Sequence, residues 1–239
     1  MMQALIFDCD GVLVDTERDG HRVAFNEAFA ELGLHCTWSV ERYGELLSTA
    51  GGKERMRRHF DETGWPDGHP DCDALIARIH VLKTAIFTRL IGEGRLPLRP
   101  GIARIVDEAI GEGITLAVCS TSNEKAVQAV VDVMLGPERS QKITVFAGDV
   151  VAAKKPAPDI YILAATTLGL DPARCMVVED SNNGLRAAKA AGMRCIVTVS
   201  SYTGDEDFSL ADRVVADLDS GAIDIAECRR LMIGLDVPA

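Results

Sequence analysis

The spacing of apolar positions along this chain changes period twice. "ALIF" at 4–7 is a short, unbroken apolar run closed by Asp8, Asp10 and Gly11. That is the pattern of a strand buried on both faces. From about Glu17 to Ile91 the period becomes helical: Val23, Phe25, Ala28, Phe29 and Leu32 share one face. Leu75, Ile76, Ile79, Leu82, Ile86, Phe87 and Leu90 make a second face sustained over several turns. "GWPDGHPD" (64–71) reads as a loop and "GEGRLPLRPG" (92–101) as a linker returning to the first kind of pattern.

After that linker, helical and strand signals alternate. A helix at 101–111 precedes a strand "ITLAVCS" (114–120), and a helix at 123–134 precedes a strand around "ITVFAG". "KPAPDIYILAATTLGL" carries prolines where a helix begins and Gly169 where it ends. "CMVVED" (175–180), "RCIVTVS" and "RVVAD" read as further strands, with "NGLRAAKAAGM" as the helix between the first two. Such alternation predicts an α/β fold: a Rossmann-like parallel sheet with right-handed crossovers and helices on both faces. Residues 1–16 and 92–239 would form this core, and 17–91 an all-helical cap inserted after the first strand.

Composition narrows the function. The chain has 239 residues, 47% apolar but only 5% aromatic, so Ala, Val, Ile and Leu must fill the core. A formal charge of −11 argues against holding nucleic acid or an anionic membrane through the overall field, so an anionic ligand needs a local cluster of cations or backbone N–H groups. Seven scattered cysteines without a C-x-x-C pair read as reduced thiols in a cytoplasmic protein. No signal peptide is expected from "MMQALIF", and no apolar run is long enough to span a membrane.

In an open parallel sheet ligands bind beyond the carboxyl ends of the strands. Asp8 and Asp10 follow the first strand, and Ser120, Thr121 and Ser122 the second. Lys154 and Lys155 follow the third, and Glu179 and Asp180 end the fourth. Acid pair, hydroxyls, cation and acid pair together suit phosphoryl transfer. Mg²⁺ would relieve the repulsion among the carboxylates, while a hydroxyl and a lysine hold phosphate oxygens. One aspartate can attack phosphorus while another, two residues on and on the same side of an extended chain, serves as acid and base.

The motif D-x-D-G with Asp15, the strand-end Ser, K-P before a helix and E-D-S-x-x-G (Glu179 to Gly184) resemble the haloacid-dehalogenase-type phosphatase superfamily over nearly the whole chain. The resemblance implies Asp8 as nucleophile and Asp10 as general acid and base. It also implies Mg²⁺ held by Asp8, the Asp10 backbone carbonyl and Asp180, with Glu179 acting through water, and phosphate held by Ser120, Thr121 and Lys155. The helical insert is similar to the cap of the β-phosphoglucomutase and phosphoglycolate-phosphatase branch. "FDCDGVLVDTERDGHRVAFNEAF", "STAGGKERM" and "EDSNNGLRAAKAAGM" look closest to the CbbY-type sugar phosphatases. Those are associated with the Calvin cycle and remove xylulose-1,5-bisphosphate, an inhibitor of Rubisco. The expected partner is therefore a small phosphorylated sugar, the expected state a monomer, and a phosphomutase or a phosphoglycolate phosphatase the alternative.

Within the cap, Glu17 and His21 are four apart at the start of a helix and share a face, either as a surface pair or as contacts to the sugar. "TAGGKER" (49–55) puts Gly51, Gly52 and Lys53 at a helix N-terminus, with Arg55, Arg57 and Arg58 following. Either a second phosphate binds there or the helix shows a solvated basic face. Lys83 lies in an apolar helical pattern and either reaches the site or snorkels. Arg42 and Tyr43 are weaker candidates. A signalling receiver domain does not fit an acceptor at position 8, and a non-catalytic binding module does not need the intact Asp8 and Asp10 pair.

Overall fold

The computed structural model describes residues 2–49 and 51–233. Position 50, within "TAGGKER", and 234–239, at the end of the expected core range, lie outside the described residues. The chain divides into two compact units, Thr16–Leu96 and Met1–Asp15 with Pro97–Ala239.

The first unit is helical. A π-helical segment, Thr16–His21, leads into α1 (Arg22–Glu31), followed by α2 (Val40–Leu47), α3 (Gly52–Thr63) and α4 (Cys72–Gly92). The inward face of α1 is Ala24, Phe25, Ala28 and Phe29; Val23, expected on that face, is only half-buried. α2, which the apolar pattern did not announce, is capped by Ser39, whose hydroxyl accepts the Arg42 N–H at 3.1 Å. Most of the chain's few aromatics are gathered in this unit. Trp38 packs 4.8 Å from Phe25 and 5.0 Å from Phe29, ring centre to ring centre. The unit continues past the expected end at 91 because Leu96 is buried within it. Leu96 lies against Gly20, where an added Cβ would sit 3.2 Å from the Leu96 side chain and 2.7 Å from Phe87.

The second unit is a six-stranded parallel sheet flanked by helices. In chain order its elements are β1 (Ala4–Phe7), α5 (Ile102–Gly111), β2 (Thr115–Ser120), α6 (Glu124–Met134), α7 (Pro137–Ser140) and β3 (Ile143–Ala147). They continue with α8 (Asp159–Leu168), β4 (Cys175–Glu179), α9 (Asn182–Ala190), β5 (Arg194–Thr198), β6 (Arg213–Val215) and α10 (Ile225–Met232). The sheet order is β3-β2-β1-β4-β5-β6. β1 therefore lies inside the sheet, and β2 and β4 leave it in opposite directions, making a switch point beside β1. Phe7, the end of β1, is level with Val118 of β2 and Val178 of β4, and those strands run on to Ser120 and Glu179 beside the residues that follow β1.

Alternate residues of each strand face opposite layers. Ala4, Ile6, Ala117, Cys119, Val177 and Cys195 pack with α8 and α9 in one buried cluster. Leu5, Phe7, Leu116 and Val118 point the other way, where α5 lies against β2 and α10 against α5. The seven cysteines are unpaired and five of them are buried, filling core space. Val14 and Leu98 form an isolated antiparallel bridge, and the Arg99 N–H donates to Leu13 O at 2.9 Å. The Arg99 guanidinium donates to the carbonyls of Gly11, Thr198, Val199 and Ala216. Among the described residues no helix is long and apolar enough to cross a membrane.

Candidate active site

Asp8 is the first residue past the apolar run of β1. Asp8 remains in the sheet's hydrogen-bonding pattern, its N–H donating to Val178 O at 2.9 Å. Glu179 and Asp180 finish β4 one strand away. One oxygen from each of Asp8, Glu179 and Asp180 lies within 4.8 Å of the others, and all three residues are buried. Gly11 makes room for this: with φ +77°, it lies where a Cβ would sit 1.9 Å from Asp180 Oδ2. Gly184 does the same on the other side, where a Cβ would sit 2.0 Å from the Glu179 carboxyl.

Among the described residues one cation, Lys155, is ion-paired with this group. Lys155 Nζ donates to Asp8 Oδ1 at 2.8 Å, Glu179 Oε1 at 2.6 Å and Cys119 O at 2.9 Å. Three carboxylates around one ammonium leave an excess of negative charge in a low-dielectric place. Burial, reinforced by Glu179 and Asp10, pushes the Asp8 carboxyl up to about 7 against the pull of Lys155. Burial, with Asp8 and Glu179 adding to it, pushes Asp180 up to about 8. Lys155 is held well above the usual lysine range: burial opposes its charge, but Asp8 and Glu179 outweigh that. Burial and the flanking aspartates push the Cys9 thiol up, so it is not an activated nucleophile.

The hydroxyls at and beyond the end of β2 have different protein partners. Ser122 Oγ donates to Asp10 Oδ2 at 2.5 Å. Ser120 Oγ, buried at the end of β2, accepts the Ser122 N–H at 3.1 Å and so shapes the turn that presents Ser122. The Thr121 backbone carbonyl accepts from Lys154 Nζ at 3.4 Å.

The helical unit holds a second polar cluster. Tyr43 OH donates to Glu17 Oε2 at 2.5 Å, and Arg55 Nη1 donates to Tyr43 OH at 3.1 Å and lies 3.8 Å from Glu17 Oε2. Lys83 Nζ donates to His21 Nδ1 at 3.0 Å and sits over Phe25 and Phe87, 4.9 and 5.3 Å from their ring centres. Desolvation and the two neighbouring cations push His21 down to about 3, and desolvation pushes Lys83 down to about 8. Glu17 and His21, both in the π-helical segment, take different hydrogen-bond partners, Tyr43 and Lys83, while Arg55 and Lys83 act electrostatically on both. Lys53 is exposed, and Gly51 stands with φ +91° before the first turn of α3. Arg57 and Arg58, expected beside it as a basic face, are tied to Asp73 and Glu62 instead.

Residues 2–192 match the family model for haloacid dehalogenase-like hydrolases. The chain belongs to the haloacid dehalogenase-like hydrolases. This hydrolase is 57% identical to a CBBY-like protein of Arabidopsis thaliana over 236 residues, covering 96% of this chain and 74% of that one. Among solved structures, a variant of CbbY from Rhodobacter sphaeroides in complex with xylulose-1,5-bisphosphate is 44% identical. The match has a TM-score of 0.72 and covers 99% of this chain and 100% of that one. A putative β-phosphoglucomutase from Thermotoga maritima is 26% identical at a TM-score of 0.67, covering 90% and 94% of the two chains.

One side chain of this hydrolase escaped the sequence reading and another was only a weaker candidate. Tyr161 on α8, its OH 2.5 Å from Glu179 Oε1, was counted only as part of a helix. Tyr43, rated weak, bridges Glu17 and Arg55. Neither carries a local signal, since each partner is distant along the chain. The acid cluster itself suits a hard divalent ion: oxygen donors only, crowded, with more negative charge than Lys155 balances.

Proposed function

We propose that this hydrolase is a Mg²⁺-dependent phosphatase that removes phosphate from a small sugar bisphosphate, with xylulose-1,5-bisphosphate as substrate. The observation carrying this is the likeness, over 99% of the chain, to the CbbY variant solved with that compound. The buried acid cluster with its single lysine supports the same reading from chemistry.

In this reading a carboxylate oxygen of Asp8 attacks phosphorus, and the bond from phosphorus to the sugar oxygen breaks. Asp10, aimed by its hydrogen bond from Ser122, gives its proton to that leaving oxygen. Water then attacks the aspartyl-phosphate, Asp10 takes the water proton, and inorganic phosphate leaves Asp8 free. Lys155 and the β2-end hydroxyls Ser120 and Thr121, with Ser122, bind and orient the phosphate oxygens. Asp8, the Asp10 carbonyl and Asp180, with Glu179 behind them, would hold Mg²⁺, which when bound neutralises the carboxylates and the phosphate. In the helical unit Glu17, His21, Arg55 and Lys83, with the Gly51–Gly52–Lys53 turn, would select the sugar and its second phosphate. This assigns substrate choice to Thr16–Leu96 and chemistry to the sheet unit. Seven free thiols support a cytoplasmic setting, and the net charge of −11 supports a small-molecule partner handled by a monomer.

The test is inorganic phosphate release from xylulose-1,5-bisphosphate, ribulose-1,5-bisphosphate, β-glucose-1-phosphate and phosphoglycolate, with Mg²⁺ and with chelator. Fast, chelator-sensitive release from the xylulose compound, with ribulose bisphosphate spared, is the expected result. The likeness to a putative β-phosphoglucomutase favours a second reading, a mutase. Conversion of β-glucose-1-phosphate to its isomer, with little phosphate release, would select it.

A further inference from the structure

We infer that Tyr161 is a positioning residue for the phosphoryl-transfer site: its hydroxyl, through Glu179, sets where the Lys155 ammonium points. The inference rests on the proposed phosphatase reading only for its kinetic consequence; the geometry stands in the sheet unit alone.

An ammonium has three protons to donate. Lys155 commits them to Asp8 Oδ1, Cys119 O and Glu179 Oε1. Its Nζ also lies 5.0 Å from the centre of the Tyr161 ring, so the ring packs beside the charge. The ring fills apolar space among α8, α9 and the sheet, which a phenylalanine would fill equally well. The hydroxyl is the part that packing does not require. A phenol with no exposure to solvent must find a partner, and this one donates to Glu179 Oε1 at 2.5 Å, the same oxygen that Lys155 uses. The other Glu179 oxygen accepts the Asp180 N–H at 3.2 Å and Ser181 Oγ at 3.5 Å. The bare Gly184 lets the carboxyl lie close against the start of α9, where a Cβ would sit 2.0 Å from it.

Glu179 Oε1 is therefore shared between two donors, and the share matters to Asp8. With the phenol in place, Oε1 is partly satisfied and competes less strongly for the ammonium. Without it, Oε1 draws Lys155 toward Glu179 and lengthens its contact with Asp8. Lys155 keeps its charge and stays in the site, so substrate still binds. What is lost is the alignment of the ammonium at the moment charge moves onto the phosphoryl oxygens.

The test is Tyr161→Phe, which keeps the ring. Steady-state phosphate release should show kcat lowered about tenfold, with KM within about twofold of wild type, the signature of an interaction made in the transition state. The ¹⁵N spectrum of the lysine ammonium groups gives a readout independent of turnover: the Lys155 resonance, sharp in the wild type, should shift or be lost in the variant. An unchanged kcat with an unchanged Lys155 resonance overturns the inference. So does a lowered melting temperature with kcat intact, which would make the hydroxyl only a stabilising contact. Should Tyr161→Phe fail to fold, the wild type suffices: its Lys155 ammonium must show a nuclear Overhauser contact to the Tyr161 ring, and none would overturn the assignment. If the wild type releases no phosphate from any sugar phosphate, the proposed function fails, while the ammonium spectrum still decides the role of Tyr161.

Discussion

The two polar clusters of this hydrolase are built with opposite imbalances. In the sheet unit, Asp8, Glu179 and Asp180 surround one ammonium, Lys155. In the helical unit, two cations, Arg55 and Lys83, act on one carboxylate, Glu17, and a neutral His21 accepts from Lys83. The titration shifts run accordingly: acids rise in the first and bases fall in the second, each toward the neutral form. A protein that needed these groups only for stability would match the charges within each cluster, because an uncompensated ion in a desolvated place is costly. Both clusters are unfinished by the protein alone. One lacks positive charge, the other negative, as a metal-bound phosphoryl site and a separate anion site would.

The most damaging way to break this contrast is to remove the attacking acid. Asp8→Asn should lower kcat by about 10⁴-fold or more while far-ultraviolet circular dichroism stays as in the wild type. Retained turnover would remove Asp8 from the chemistry. Next in size is the cationic cluster. Arg55→Ala removes the guanidinium from Tyr43 and Glu17 and should raise KM for a sugar bisphosphate about 30-fold, from the loss of a charged hydrogen bond. For a sugar monophosphate the rise should be much smaller, and an equal effect on both would deny it a second phosphate.

The acid cluster can be sharpened by pH. The folded-state pKa values of Asp8 and Asp180, about 7 and about 8, stand above their unfolded values. Between about pH 4 and 8 the metal-free folded state therefore binds more protons than the unfolded one, and its stability falls as pH rises. Mg²⁺ should offset that loss, so the rise in melting temperature on adding Mg²⁺ should be larger at pH 8 than at pH 6. A rise that is equal or larger at pH 6 would contradict the cluster as the metal site. The smallest effect concerns Lys83, which loses its charge as pH climbs through about 8. KM for an anionic substrate should drift upward above that pH, by about threefold at pH 9, and Lys83→Arg should flatten the drift.

The sheet and the acid ends of its strands were legible because strands buried on both faces read as apolar runs, and chemistry just past such runs has one place to go. Asp8, Glu179 and Asp180 each close or follow such a run, and the structure brings them together beside the Lys155 ammonium. The helical unit was less legible because its contacts are long in sequence and short in space: Tyr43 meets Glu17 across 26 positions, and Lys83 meets His21 across 62. Arg57 and Arg58 carried no sign in the sequence of the carboxylates they pair with. A basic helix face looks like an anion site until the carboxylates that neutralise it, Asp73 and Glu62, are located. Tyr161 was hidden for a different reason, since one buried phenol in an apolar helix has no pattern that separates it from packing.

The bridge between Val14 and Leu98 has an evolutionary consequence. Just before the chain leaves the sheet unit and just after it returns, the backbone is joined by that bridge, and Arg99 ties Gly11 to the β5 end. Everything from Thr16 to Leu96 thus begins and ends at nearly one point, and ring closure there adds little that depends on the length of what is inserted. Such a junction lets an ancestral sheet accept, lengthen or trade its insertion while the phosphate chemistry stays in place. A chain with Asp15 joined to Pro97 by a few glycines is the engineered form of the same exchange.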